Sequence, residues 1–193
     1  MARLVDESKL ARIHAATLEL VVENGYGGAS ISAIAKAAGV AEGYLYRFYS
    51  SKHELVVSLL YSRVNHLIIR LNEFIVLYSD IKKILELLIL ELFVMADTER
   101  DEIRFIHVLM HDYNFQISES QREEIKILCE QVIEIGVKNG DINPGLTSEE
   151  VYSMGIVYPI EFINLRIKGF FGKVGWGEKD KYKVVGFCLN SLK

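Results

Sequence analysis

Proline and cysteine are scarce in this chain, which has two of each among its 193 residues. Because proline is the strongest helix breaker and runs of β-branched residues bounded by turns are also rare, long helices are favoured over a sheet. The two cysteines, Cys129 and Cys188, form no CxxC pair, and each falls in an apolar helical pattern. This pattern predicts two buried free thiols.

The chain also lacks an apolar run of membrane-spanning length. Its most apolar stretch, residues 84–95, is shorter than the about 18 residues that a span requires, and it contains Glu86 and Glu91. The first residues show no apolar segment of the kind found in signal peptides. We therefore expect a cytoplasmic protein that has no membrane partner.

An excess of positive charge, which is typical of nucleic-acid-binding proteins, is missing too, because the formal net charge is −4. The negative charge is unevenly distributed. Residues 1–55 carry six basic and six acidic side chains, so the entire excess lies in the remainder. Within residues 30–52, three basic side chains accompany one acidic side chain. Since phosphate neutralisation supplies much of the affinity for DNA, this weakly basic segment predicts modest non-specific binding and a dependence on dimerisation.

Motifs of common catalytic and nucleotide-binding sites are absent from the sequence. It contains no GxSxG elbow, no P-loop and no GxGxxG fingerprint after a strand. The isolated histidines and aspartates therefore have no catalytic context. We expect the protein not to be an enzyme and to require no cofactor.

The most informative stretch, residues 30–55, predicts two short helices joined by a tight turn. Ser30 is placed to cap the first helix, and Gly39 occupies a helix-ending position after apolar residues at helical spacing. Leu45 and Phe48 recur three apart, so the second helix can pack on the first. Its other face presents polar side chains to solvent: Glu42, Tyr44, Tyr46 and Arg47. Such a pair is a helix-turn-helix unit, whose second helix enters the major groove of DNA.

The rest of the chain predicts further helices and no strand. Capping boxes at residues 51–54, 120–123 and 147–150 mark three helix starts. A kink is predicted at Tyr158-Pro159, and four glycines in residues 169–177 predict a mobile connection. The resulting expectation is an all-α fold with about nine helices. Residues 1–52 would form a helix-turn-helix DNA-binding domain, and residues 53–193 a ligand-binding and dimerisation domain.

Residues 8–56 resemble the DNA-binding head of the TetR family of bacterial transcriptional regulators. The shared pattern reads Ser30-Ile-x-x-Ile34-Ala35-x-x-Ala-Gly39-Val40, followed by Gly43-Tyr-Leu-Tyr46-Arg-Phe-Tyr-Ser-Ser-Lys52-His-Glu-Leu55. Many positions at fixed spacing make this resemblance specific. The remaining two thirds of the chain resembles the family only in the number and length of its helices.

The resemblance implies a homodimeric regulator, most often a repressor, that binds a palindromic double-stranded DNA operator. The subunits would pair through helices near residues 147–168 and 178–192. A small-molecule effector in the body would shift the long fourth helix and so change the spacing of the heads. The implied DNA-contacting positions are Ser30, Ser32, Ala41, Glu42, Gly43, Tyr44, Tyr46, Arg47 and Lys52.

Separate roles follow from the chemistry of these positions. Tyr46 and Lys52 would bind phosphates, Ser30 and Ser32 would donate to backbone oxygens, and Gly43 would allow close approach to the groove. Arg47 would reach a phosphate or a guanine edge. Two positions depart from the family pattern. Ala41 stands where a capping serine is common. Glu42 would lower the affinity for DNA unless its carboxylate accepts a hydrogen bond from a cytosine amine or pairs with a basic side chain such as Arg47.

Aromatic and histidine side chains of the predicted body are candidates for an effector pocket, although residues at helical spacing are more often core. The candidates are Phe105, His107, His111, Tyr113, Phe115, Tyr158 and Phe162. His107 and His111 have the spacing of metal ligands, but no neighbouring Glu or Cys in the sequence completes a set, so we expect no metal. Trp176 is predicted as either a lid or an apolar anchor. The alternative function is a helical small-molecule or metal-binding protein whose head does not bind DNA.

Overall fold

The computed structural model of the protein describes residues 6–193, which form helices and no strand. The first five residues of the predicted DNA-binding domain, 1–5, lie outside this described part. The helices α1 to α7 are Glu7–Gly28, Ile31–Ala38, Glu42–Leu45, Lys52–Leu77, Ile81–Thr98, Arg100–Met110 and Glu119–Lys138. Helix α8 (Ser148–Tyr152), a π-helical segment (Ser153–Val157) and α9 (Tyr158–Ile167) follow without a break, and α10 is Glu178–Ser191. Counted this way, residues 6–193 contain nine separate helices, which confirms the all-α prediction.

The chain divides into two compact units. The first, called the head unit, contains the described residues up to Arg63 together with 104–116. The second, called the body unit, contains residues 64–103 and 117–193. The predicted functional boundary after residue 52 remains a prediction.

The head unit has its own apolar core. Ile13 of α1, Ile34 of α2, Leu45 of α3 and Leu55 of α4 are all fully buried and pack together. Gly25, with a φ of 73°, interrupts α1 before the helix continues to Gly28. Burial of one face of each helix therefore holds α2 and α3 against α1.

Helix α5 lies at the centre of the body unit. Its buried side chains are Ile81, Ile84, Leu85, Leu88, Ile89, Leu92, Phe93 and Ala96. They recur at i, i+3, i+4 and i+7 spacing and form one wide apolar face of the helix, and α5 contacts α7, the π-helical segment, α9 and α10. Cys129 and Cys188 are free and buried in this unit, as predicted.

Most local helix signals are found where the sequence places them. The side chains of Ser30, Asp80 and Thr147 each accept a hydrogen bond at a helix N-terminus, and Thr147 forms its predicted capping box with Glu150. The predicted box at 120–123 is wrong. Ser118 caps α7 instead and forms the reciprocal pair with Gln121. Since the extended backbone of Ser118 starts the helix, Ser120 falls inside its first turn.

The predicted kink near Pro159 takes the form of the π-helical segment Ser153–Val157. Proline has no N–H to donate and its ring conflicts with the carbonyl one turn earlier, so a wider helical turn before it relieves the clash. The N–H of Tyr158 reaches back to Ser153 O, five residues earlier. No helix among residues 6–193 is both long and apolar enough to cross a membrane.

Candidate nucleic-acid interface

The turn between α2 and α3 ends in a left-handed glycine. Gly39 has φ 65° and ψ 41°, a conformation that glycine adopts without the steric cost of a Cβ. The N–H of Val40 donates to Ala35 O at 3.0 Å, and the N–H of Gly39 donates to Lys36 O at 3.2 Å. This hydrogen-bond pair is the Schellman motif. It terminates α2 and sets the direction in which α3 begins.

Helix α3 is a single turn, and Leu45 is its one buried residue. Ala41 precedes it without a side-chain cap, as the sequence predicts. The opposite face of the turn is open to solvent. Glu42, Gly43, Tyr46 and Arg47 are exposed, and Tyr44 is half-buried. The geometry therefore presents the predicted recognition residues together on one surface of the head unit.

Aromatic rings hold the cations of this surface in place. The Arg47 guanidinium lies 5.5 Å from the centre of the Tyr44 ring and 5.8 Å from that of Phe48. Lys9 of α1 approaches Tyr44 as well, with its ammonium 5.4 Å from the ring centre. These are cation–π contacts, which orient a positive charge and leave its outer donors accessible. Within residues 6–193, Arg47 therefore contacts aromatic rings and forms no ion pair with Glu42.

Lys52 is the first residue of α4, and the C-terminal part of α1 fixes its side chain. Its ammonium donates to Tyr26 O at 2.8 Å and lies 4.1 Å from the centre of the Tyr26 ring. An ammonium carries three donors, so one hydrogen bond leaves two for an anion. The N-terminus of α4 adds unpaired backbone N–H groups and a positive dipole end. Lys52 thus lies where an anion is favoured.

The remaining predicted contact residues are exposed hydroxyls. The Tyr46 side chain is 55% exposed. Ser30 Oγ accepts from the N–H of Ala33 at 3.1 Å, so its own hydroxyl proton is left to donate. Ser32 lies one residue inside α2 and is exposed. All three hydroxyls can donate to phosphate oxygens.

Sequence reasoning missed the side chains of α1 and α4 that support this surface. Lys9 and Tyr26 carry no motif, and their contacts with Tyr44 and Lys52 join residues far apart in the sequence. The same holds for His14 of α1, whose Nε2 lies 2.8 Å from the Tyr49 hydroxyl. Burial, followed by the charge of Arg63, lowers the pKa of His14 below its ordinary value.

The predicted effector-pocket residues fall into both units. Phe105 and Phe115 are buried in the head unit, where the Phe115 ring packs on Tyr26 and His53. His107 and His111 stack with ring centres 4.4 Å apart, whereas Tyr113 is 99% exposed. Tyr158 and Phe162 belong to the body unit, where Phe162 packs on Phe93 at 6.2 Å.

Comparison with known proteins relates the head of the chain to a family. Residues 13–59 match the family model for bacterial regulatory proteins of the tetR family. In these residues the chain is similar to the tetR family. The matched residues include α2, the Gly39 turn, α3 and the first turns of α4. The resemblance in the head is thereby confirmed.

Over most of its length the chain is similar to regulators whose names refer to fatty acid metabolism. The "Fatty acid metabolism regulator protein" of Bacillus subtilis (strain 168) is 27% identical over 141 residues, which cover 72% of this chain and 73% of the relative. A TetR family regulator from Marinobacter aquaeolei VT8 superimposes with a TM-score of 0.78 at 18% identity, covering 97% and 96% of the two chains. The Bacillus subtilis regulator FadR, solved with stearoyl-CoA, gives 0.68 at 21% identity, covering 95% and 100%. These structures share the fold.

Proposed function

We propose that this protein is a regulator of the tetR family and that it acts as a homodimeric repressor, binding a palindromic operator through α3. The observation that carries the proposal is the orientation of this helix. Leu45 anchors one face of α3 in the head core, and the Gly39 turn leaves the opposite face exposed with Tyr44 and Arg47 in contact. A helix held this way is suited to the major groove, and two copies related by a two-fold axis would read two half-sites.

The contacts divide into positioning and reading groups. Tyr46, Lys52 and the α2 serines would bind phosphates and fix the register of α3 on the duplex. Glu42 and Arg47 would face base edges or the adjacent backbone. Gly43 supports this arrangement because a Cβ built there meets no atom within 4 Å. The protein itself therefore has room for a side chain at position 43, and the proposed reason for glycine is close approach of DNA.

The proposed dimer contact uses α9 and α10, and exposed aromatic side chains of α10 support it. Tyr158 of α9 and Phe187 of α10 stack with ring centres 4.7 Å apart, and Phe187 remains 51% exposed. Tyr182, also on α10, is 53% exposed. Large apolar side chains left on the surface of a helix are typical of a subunit contact.

We propose a long-chain fatty acyl-CoA as the class of effector. The names of similar proteins support it: a Bacillus subtilis regulator of fatty acid metabolism at 27% identity, and a Bacillus subtilis FadR structure solved with stearoyl-CoA. Phe162 is half-buried in the body unit and packs on the buried ring of Phe93, so it remains the candidate contact for an acyl chain. In this proposal the ligand favours a state whose head spacing does not fit the operator.

The DNA-binding part is tested by mobility shift against the DNA that flanks this protein's own gene. We expect one discrete complex on a palindromic segment that weakens steeply between 50 and about 200 mM salt, as phosphate contacts require. Tyr46→Phe should weaken binding to all DNA sequences by the same factor. Tyr61→Phe on α4 is the matched control. Absence of any shift by the wild-type chain at low salt would contradict the proposal and favour the helical binding protein without DNA activity.

The effector part is tested on the same complex. Stearoyl-CoA is expected to release the DNA, whereas free coenzyme A at equal concentration is expected to leave it bound. A complex that survives stearoyl-CoA saturation would reject this effector class. A complex stabilised by stearoyl-CoA would keep the class and reverse the proposed direction of regulation.

A further inference from the structure

The connection between α9 and α10, residues 168–177 and here called the Phe turn, has a defined backbone. Gly169, Gly172 and Gly175 adopt positive φ values of 61°, 79° and 72°. Phe170 donates its N–H to Leu165 O at 3.0 Å, and Gly175 donates to Arg166 O at 3.3 Å. The four glycines that predict a mobile connection therefore serve to fold the chain back on the end of α9.

Charged side chains clamp the base of the Phe turn. The Arg166 guanidinium donates to Gly175 O at 3.1 Å and to the Asp180 carboxylate at 3.1 Å. Lys173 reaches the same carboxylate at 2.8 Å, and Gly177 donates its backbone N–H to it at 3.0 Å. These hydrogen bonds hold the pKa of Asp180 well below its usual range. The carboxylate is thus a charged junction between the turn and the first turn of α10.

An aromatic contact anchors the other end of the Phe turn. The half-buried Trp176 ring packs on Phe93 of α5 with centres 5.6 Å apart. Phe93 is fully buried in the centre of the body unit. Of the two predicted roles of Trp176, this contact favours the apolar anchor.

The clamp and the anchor leave an apolar tip in solvent. Phe170, Phe171 and Val174 are 67%, 81% and 70% exposed, and the two phenylalanine rings meet edge to face at 4.9 Å. A disordered loop would let such side chains turn inward, whereas this backbone is hydrogen-bonded so that they point outward. An ordered apolar tip is typical of a surface that is covered in the assembled protein.

We propose that the tip of the Phe turn docks against a second copy of this chain and forms part of the dimer contact. The inference rests on the proposed homodimer and extends it beyond the helices α9 and α10. The tip joins those two helices directly, and Phe170 and Phe171 together expose on the order of 300 Å² of aromatic surface. A stable interface buries about 800 Å² on each partner, so the tip would supply about a third of one side and the helices α9 and α10 the rest.

The test compares dimerisation of the full chain without DNA by sedimentation equilibrium. The variant F170S/F171S changes two exposed side chains, so it should keep the wild-type helix content and thermal unfolding. We expect its dimer dissociation constant to rise about 100-fold or more, because the two-fold axis removes each ring twice. The matched control V76S/L77S removes side chains that are 84% and 71% exposed near the end of α4, and it should dimerise like the wild type.

A second measurement reports on the turn itself. Trp176 is the one tryptophan in the sequence and lies within the Phe turn. If the turn docks on the partner, the emission maximum of Trp176 in the wild-type chain should change on dilution through the dimer dissociation range. An emission spectrum that stays constant through that range would overturn the inference.

The other outcomes are also decisive. An F170S/F171S chain that dimerises as tightly as the wild type overturns docking of the tip, while the proposed operator binding still stands if the wild type shifts DNA. Sedimentation with phosphatidylcholine–phosphatidylglycerol vesicles tests a lipid surface as the occupant. Vesicle binding that F170S/F171S abolishes, together with unchanged dimerisation, would assign the tip to a membrane surface instead.

Discussion

Glu42 is the residue whose role most affects what the operator must look like. Its exposed carboxylate begins α3, and Arg47, the partner considered from the sequence, is held instead against Tyr44 and Phe48. A carboxylate beside phosphates lowers affinity, but it accepts well from the N4 amine of cytosine. Base reading is therefore the role that offsets its charge.

The change Glu42→Gln separates two roles of this side chain, recognition of a base and repulsion of DNA phosphates. We expect it to strengthen binding to non-operator DNA and to erase the preference for one cytosine, whose replacement costs the wild type about 10- to 100-fold in affinity. Binding titrations on operators changed one base pair at a time measure both effects. Glu19→Gln, an exposed carboxylate on α1, is the control. A uniform gain on every sequence would show that Glu42 only repels phosphates.

Gly43→Ala should stabilise the folded protein and weaken its binding to DNA. Because a Cβ at this position has free space, alanine should raise the free energy of unfolding by about 0.5 kcal/mol through better helix propensity. The added methyl group would push α3 from the groove and weaken operator binding roughly tenfold, about 1.4 kcal/mol. Chemical denaturation and mobility shift measure the two effects separately. Unchanged operator affinity would reject the close-approach role.

At the scale of the element, α1 carries a half-buried histidine, His14, that responds to pH. The pKa of His14 is lowered from its ordinary 6.5, chiefly by burial and then by the charge of Arg63. The folded head therefore binds the proton less readily than the unfolded chain does. The contribution of the neutral His14 imidazole to the free energy of unfolding is therefore complete above pH 6.5 and is lost as the pH falls below that value.

We expect the wild type to lose more unfolding free energy between pH 7.5 and about pH 5.5 than His14→Gln does, because only the wild type must keep a neutral imidazole. Urea denaturation at the two pH values gives the comparison. His66→Gln, a variant of an exposed histidine in the body unit, serves as the control and should behave like the wild type. Equal losses in the wild type and His14→Gln would mean that other groups carry the acid sensitivity.

The same scale shows which features a sequence can reveal. Ser30, Gly39 and Thr147 were assigned correctly because a cap depends on residues within one turn. The cap of α7 was placed two residues late because Ser118 and Ser120 both begin a plausible box, and only the extended backbone at Ser118 decides between them. The sequence therefore predicts the helices well and their first residues less well.

The contacts that hold the candidate site in place cannot be predicted from local sequence patterns. The position of Lys52 at the start of α4 follows from the local pattern, but its contact with Tyr26 spans 26 residues. Such a contact depends on how α1 packs on α4, which periodicity does not specify. The order of the Phe turn also depends on a contact between residues distant in sequence. Its glycine content predicts a mobile backbone, whereas the Arg166–Asp180 ion pair holds that backbone in place.

For the whole molecule, the modest basic charge of the head should appear in the salt dependence of operator binding. Lys52→Met removes one ammonium and keeps an aliphatic chain over the Tyr26 ring. We expect the slope of log K against log salt to fall by about one per head, and so by about two per dimer. Lys179→Met on α10 is the control. A slope equal to that of the wild type would remove Lys52 from the phosphate contacts.

The two buried cysteines have a practical consequence for following such a molecule in motion. Burial raises the pKa of Cys129 to about 11 and that of Cys188 to about 12, so neither offers appreciable thiolate at neutral pH. Maleimides attack thiolates, and a cysteine introduced on the exposed surface of the head would therefore be labelled selectively in the otherwise natural sequence. One such label in each subunit would turn the separation of the two heads into a distance that can be read by energy transfer or spin resonance while ligand is added.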